Sequence, residues 1–229
     1  MNSGDPHYRG HRHRLRQRFL TSGLHGFADY EVMELLLTLA IPRSDVKESA
    51  KELIARFGNL RSILDAPIEE LQAVNGLGAV APVALKIIRA AATLYLQQSA
   101  EATNLATDHE SLVTFWRMRI GANPNEAFEV AYLDSGCRLL RDGVERLEEG
   151  TIDRAAIYPR RVVESALRHG AAALVLAHNH PNGDVTPTEQ DKLVTRALVM
   201  AAETVQLRVI DHLIVSTGQA FSFKKAGLL

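Results

Sequence analysis

Near residue 100 the hydrophobic pattern of this 229-residue chain changes period. Before that point apolar side chains recur at helical spacing, with no alternating strand signal. After it, short apolar runs alternate with helical patterns. Two patterns in one chain require two packing solutions. The expected fold is therefore an all-α helical module followed by an α/β (α+β) domain built on a mixed sheet. The length suffices for both parts to bury a core. The expected division is 1–100 for the helical module, 101–110 for a linker and 111–229 for the mixed domain. The polar run QQSAEATNLATDHE (97–110), poor in large apolar residues, is the linker candidate.

Local signals fill in the elements. HRHRLRQRFL (11–20) reads as an arginine-rich helix, and YEVMELLLTLAI (30–41) as an amphipathic helix stopped by Pro42. DVKESAKELIARFG (45–58) has Asp45 or Ser44 as cap and Gly58 as stop. Two short helical pieces follow, near 59–65 and 67–74. VNGLG then turns into an Ala-rich helix that ends near residue 96. In the back half, AFEVAYLD (127–134) and CRLLRDGVERLEEG (137–150) read as strands, the second bent at Asp142-Gly143. PRRVVESALRHG (159–170) is a helix, AAALVLAH (171–178) a buried strand, and PTEQDKLVTRALVMAAETV (187–205) a helix. LRVIDHLIVS (207–216) is a strand, and QAFSFKKAG (219–227) a short strand or hairpin.

Composition excludes several classes. Apolar residues are 46% and charged residues 23%, ordinary for a soluble globular protein. Net charge is -1, so bulk charge favours no partner. Its distribution is uneven: residues 1–20 carry five arginines against Asp5, a local +4, and His7, His11 and His13 add charge in mild acid. The single cysteine, Cys137, forbids an intrachain disulfide and any CxxC zinc site. That fits a reducing cytoplasm. No apolar leader and no uninterrupted run of about 18 apolar residues is visible, so no membrane association and a cytoplasmic location are expected.

HNHPNGDVTPTEQD (178–191) is the most informative stretch. Residues i and i+2 of an extended chain face one side, so His178 and His180 can converge on one point. They sit where a buried strand ends, a rigid mount for ligands. A helix follows, with Thr186 expected as N-cap, Pro187 at N1 and Glu189 closing a capping box. That register puts Asp191 in the helix's second turn. Two imidazoles and a carboxylate suit a catalytic metal, because one tetrahedral position stays open for water. Zinc and ferrous iron both fit such a set. The bland reading is an HxH pair without metal and a solvated helix-start Asp191.

The spacing H-x-H, ten residues, then Asp resembles the JAMM motif of MPN-type metalloproteases. The longer run is similar to the HNHPSGDPTPSxxD signature of the RadC family. DHLIVS (211–216), SFKKAG (222–227), HRHRLRQRFL, IPRSDVKESAKELIARFGNL and the VNGLG turn resemble the same family. The resemblance covers residues 8 to 229. It implies an MPN/JAMM-like, cytidine-deaminase-like fold and a Zn2+ ion held by His178, His180 and Asp191. It further implies hydrolysis of a peptide or isopeptide bond in a peptide or protein substrate. The family's general acid/base glutamate falls on Glu126 of EAFEV, with an exposed strand-edge acid as its bland reading. The serine that supports the tetrahedral intermediate is replaced by Thr188, which keeps the hydroxyl but adds a methyl and restricts χ1. Asn182 and Val185 depart from the common Ser and Pro in a loop. Two rival functions stay open: a DNA-repair or recombination accessory protein, and a non-catalytic MPN scaffold for partner binding.

DNA is the second expected partner, through residues 9–18 and 74–89. VNGLGAV (74–80) resembles a helix-hairpin-helix hairpin, whose backbone N–H groups can meet a phosphate, assisted by Lys86 and Arg89. Clustered arginines at 9–18 would supply the electrostatic footprint. The alternative is a tight turn and a solvated basic face. Trp116 is expected in the core, Cys137 as a small buried or half-buried strand residue, and His212 as a hydrogen-bonded core histidine rather than a ligand. His169 is expected at a helix end, where the dipole favours it.

Overall fold

The computed structural model describes residues 7–102, 104–105, 108–150 and 158–229, in two compact units, Met1–Ala92 and Thr93–Leu229. The first unit is helical. It contains α1 (His7–Ser22), α2 (Asp29–Ala40), α3 (Lys47–Phe57), α4 (Leu60–Asp65), α5 (Ile68–Gln72) and the start of α6 (Val80–Ala102). Helical spacing brings Met33 and Leu37 of α2, Leu53 of α3, Ile63 of α4, Leu71 of α5 and Leu85 of α6 into one dry core. α3 is capped by Val46, not by Asp45 or Ser44. Asp45 Oδ1 accepts from Lys47 N (3.0 Å), so it bonds N1 rather than serving as the cap.

At the turn before α6, Gly76 (φ 81°) and Gly78 (φ 59°) both take left-handed backbone. A Cβ on Gly76 would lie 2.5 Å from Ser49 Oγ, whose hydroxyl donates to Asn75 O (2.9 Å). α6 runs on through Ala102, because Gln97, Gln98, Ala100 and Glu101 are all good helix formers. Its Val80–Ser99 stretch is long and apolar enough to cross a membrane by length and composition. Ala81 and Leu85 of that stretch pack in the helical core.

The second unit is a five-stranded mixed sheet of order β2-β1-β3-β4-β5. The strands are β1 (Glu126–Leu133), β2 (Leu139–Gly150), β3 (Ala173–Asn179), β4 (Arg208–Val215) and β5 (Ala220–Ser222). β3 and β4 are parallel and joined through α9 (Glu189–Thr204); the other pairs are antiparallel. β3 is buried along its whole length, as its apolar run requires. Alternation sorts its residues. Ala173, Val175 and Ala177 face α7 (His109–Arg119), which contributes Leu112, Phe115 and Trp116. Leu174 and Leu176 face α8 (Pro159–His169) and α9, with Val162, Ala166 and Leu198. His178 continues that second face.

Two further positions differ from expectation, and one agrees. α7 has no counterpart among the expected elements, although Asp108 caps it by accepting from Ser111 N. Cys137 is buried, but in the turn rather than a strand, where it takes a φ of 59°. β2 does bend at Asp142-Gly143: Asp142 has a φ of 54°, and a Cβ on Gly143 would stand 2.6 Å from Leu140 O.

Candidate metal centre

The strand register builds the site. In the antiparallel β1/β3 ladder Phe128 lies opposite His178. Two residues further along each strand, Glu126 and His180 fall side by side on the same face. His180 Nε2 is 3.7 Å from Glu126 Oε1. The third component comes from the loop between β3 and α9. There Asp184 Oδ1 accepts from Thr186 N (2.9 Å), and Asp184 O accepts from His180 Nδ1 (2.7 Å). These bonds hold the loop extended through Pro187, so α9 starts later than expected. Its N-cap is Thr188, not Thr186, and Asp191 sits at N3 in the first turn, not the second. The capping box is closed by Thr188 and Asp191: Thr188 Oγ1 accepts from Asp191 N, and Asp191 Oδ2 accepts from Thr188 N (2.8 Å).

The box aims the carboxylate. Oδ2 also accepts from the Thr188 hydroxyl (2.7 Å), which leaves Oδ1 turned to His178 Nε2 at 3.2 Å. His180 Nε2 lies 3.5 Å from Asp191 Oδ2 and 3.1 Å from His178 Nε2. Zinc bonds of about 2.0–2.1 Å at tetrahedral angles would separate neighbouring ligand atoms by about 3.3 Å. The three spacings bracket that value. The donor chemistry fits as well. Asp184 O can only accept, so His180 carries its proton on Nδ1 and points an Nε2 lone pair at the cluster.

Two ligand triads are geometrically open. Glu126, His178 and His180 also offer ligand atoms within 4.8 Å of one another. Asp191 is the better third ligand. It is nearer, 4% exposed and fixed by three bonds to Thr188, whereas Glu126 stands further off toward solvent.

The electrostatics follow from burial. Burial opposes ionisation of Asp191, but hydrogen bonds with His178 and His180 outweigh it and hold the carboxyl well below the usual range. Burial pushes His178 down despite Asp191. His180 is raised, chiefly by its hydrogen bond with Asp191.

The structure thus brings His178, His180, Asp191, Glu126 and Thr188 together. Thr188 is bonded to Asp191 on both sides of its hydroxyl, so here it orients the carboxylate. The oxyanion-supporting role rests on the resemblance alone. Asn179, the middle residue of the HxH pair, has a role that local spacing does not signal. Its side chain faces away from the histidines: Oδ1 accepts from Ala127 N (2.8 Å), and Nδ2 donates to Asn123 O and Asn125 O (3.1 Å each). Asn179 thereby ties the Glu126 strand to the histidine strand. His212 is a buried, hydrogen-bonded histidine on β4 that touches His178; only the pairing of β3 with β4 could reveal that link.

In the helical unit, Lys86 Nζ donates to Leu64 O (2.9 Å) and to Ala66 O. Arg89 pairs with Asp65 at 2.6 Å, Arg12 donates to Pro42 O and Ser44 O, and Arg18 pairs with Glu31 at 2.7 Å. Arg14 and Arg16 are exposed.

Known proteins resemble the chain along nearly its full length. A family model described as "RadC-like JAB domain" matches residues 106–228, and one described as "UPF0758 N-terminal" matches residues 10–83. A UPF0758 protein of Rhodobacter capsulatus is 39% identical over 215 residues, 94% of this chain and 100% of the relative. One from Ruegeria pomeroyi is 38% identical, covering 96% and 98%. One from Fusobacterium nucleatum is 32% identical, covering 96% and 97%.

Proposed function

The chain belongs to the RadC-like JAB domain family, and from that premise we propose that it is a zinc-dependent hydrolase of peptide or isopeptide bonds. One observation carries the reading: two histidine nitrogens and a fixed carboxylate oxygen at tetrahedral spacing, with a second carboxylate 3.7 Å from one of them. Three acceptor atoms that close repel one another unless protons or a cation lie between them. His178, His180 and Asp191 would hold the ion. A zinc ion held there would supply a Lewis acid able to lower the pKa of water to about 7 and polarise a carbonyl.

The chain's own residues do the rest. Glu126 Oε1, at the mouth of the site, takes the proton of the attacking water and returns it to the leaving amine. Thr188 holds Asp191 in place, and Asn179 holds the strand start from which Glu126 projects. A peptide or protein substrate suits this arrangement, because one base beside one ion is the set that amide hydrolysis needs. DNA contact by the helical unit finds less support: Lys86, Arg89, Arg12 and Arg18 already bond within that unit, leaving Arg14 and Arg16 as the exposed members of the basic run among the described side chains, which do not include Arg9.

Metal analysis of the purified chain tests the proposal first, with one zinc per chain expected in the wild type and loss in Asp191→Ala. A screen of fluorogenic peptides and lysine-linked isopeptides tests the second half. Glu126→Gln should keep zinc and lose hydrolysis by about 10²–10⁴-fold. A Glu126→Gln protein with bound zinc and undiminished hydrolysis would remove the assignment.

A further inference from the structure

We propose that His212, acting with Thr195, is a positioning residue that fixes the tautomer of His178 and keeps its Nε2 lone pair turned toward the metal. The consequence for metal binding rests on the zinc reading above; the proton arrangement stands by itself.

A buried chain of three contacts fixes the protons by elimination. Thr195 Oγ1 lies 2.6 Å from Asp191 O, one turn earlier in α9. A carbonyl oxygen can only accept, so the single hydroxyl proton of Thr195 points there. Thr195 Oγ1 also lies 2.6 Å from His212 Nδ1. With its proton spent, Thr195 must accept, and His212 must carry a proton on Nδ1. Reversing the bond would leave two oxygens 2.6 Å apart with no proton between them. His212 Nε2 lies 2.9 Å from His178 Nδ1. His212 is 1% exposed, and among the described residues its ring nitrogens meet Thr195 Oγ1 and His178 Nδ1 and no carboxylate, so a buried imidazolium would be unpaired, the ring is neutral and its second nitrogen is an acceptor. His178 therefore donates from Nδ1, and its Nε2 is a bare lone pair.

The ring of His212 is held against rotation. Phe223 stacks on it at 4.7 Å and 16°, and Phe128 meets it edge-on at 5.7 Å. Both histidines of the pair then present lone pairs at 3.1 Å, His180 by its bond to Asp184 O and His178 by its bond to His212. Asp191 enters twice, through its carboxylate at the ion and through its carbonyl at the start of the relay. The helix that delivers the carboxylate thus also sets the proton on the opposite histidine.

Ring 15N–1H correlation spectra of the metal-free full-length chain at neutral pH read the tautomers directly. The expected result is protonation of His178 and His212 on Nδ1. His178 protonated on Nε2 in the wild type overturns the proposal. Zinc affinity, measured by chelator competition, is the second readout. His212→Phe should weaken it about 10–100-fold. His212→Gln places an amide oxygen near the lost Nε2 and should recover most of the loss. Thr195→Val, which keeps the shape but cannot accept from Nδ1, should weaken binding in the same direction, and Thr195→Ser should not. If His212→Phe does not fold, the Thr195 pair carries the test. Wild-type affinity in His212→Phe or Thr195→Val overturns the relay and leaves the metal reading intact. Absence of zinc affinity in a wild-type chain with His178 protonated on Nδ1 supports the relay and removes the metal reading.

Discussion

Asn179 sits between two histidines and shares neither their face nor their chemistry, yet its amide closes three bonds to the segment carrying Glu126. Of these partners Ala127 N is buried, so Asn179→Ala leaves it without the bond from Asn179. The expected cost is about 1–3 kcal/mol in urea unfolding, with zinc affinity nearly unchanged because the ligands face the other way. Loss of zinc affinity alone, without loss of stability, would contradict this division of labour. Protonation gives a second residue-scale expectation. Burial depresses His178, His212 and His109 in the folded chain. Unfolding in mild acid therefore takes up protons at these sites. Their contribution to stability is present above the unfolded imidazole value of about 6.5 and is lost as pH falls below it. His180 is raised by Asp191 and works the other way: its contribution is full below about 6.5 and is lost as pH rises through its folded value. His212 lies well below the ordinary value, and with His178 and His109 it outweighs the one raised group. Metal-free protein should lose stability between about pH 7 and about pH 5, measured as a falling urea midpoint. A midpoint that rises over that interval contradicts the assignment.

Helix ends carry the next level of consequence. α9 begins with a capping box whose acid is also a metal ligand, so one motif serves both helix and ion. Thr188→Ala should cost about 1 kcal/mol of stability and also weaken zinc binding, since Asp191 loses an anchor. Thr188→Ser should restore both, as measured by thermal unfolding and chelator competition. A Thr188→Ala protein with normal zinc affinity would separate the cap from the site. The turn before α6 makes a different point. Gly76 and Gly78 both have positive φ, but only Gly76 meets a neighbour, Ser49 Oγ. Gly78→Ala should cost about 1–2 kcal/mol from backbone conformation. Gly76→Ala should cost more, because Ser49 must also move. Equal unfolding midpoints for the two variants would show that the close approach is immaterial.

At the scale of the whole chain, the site lies wholly in the second unit, while the helical unit has its own core. Zinc should then stabilise locally. At about 1,000 times its dissociation constant a ligand adds about 4 kcal/mol. Hydrogen exchange should slow in β1, β3 and the first turns of α9 on adding zinc. Exchange in α2, α3 and α4 should not change. Equal protection of both units would mean that they unfold as one.

The sequence by itself determined a helical front followed by a mixed-sheet back, the order of strands and helices apart from α7, and the histidine pair. These are properties of period and spacing along the chain, which backbone geometry translates directly. It also pointed to Asp191, though in the wrong turn. Thr186 and Thr188 both precede plausible box partners, and only the bonds of Asp184 in the folded loop decide between them. Glu126 needed a family resemblance, because nothing in EAFEV says which strand will pair with it. The β1/β3 register supplies that. Asn179, Thr195 and His212 were silent for the same reason. Their roles depend on contacts between β3, β4, α9 and the start of β1, and a bond across 17 to 56 residues leaves no local periodic trace. Spacing along a chain fixes which way a side chain points; only packing fixes what it meets.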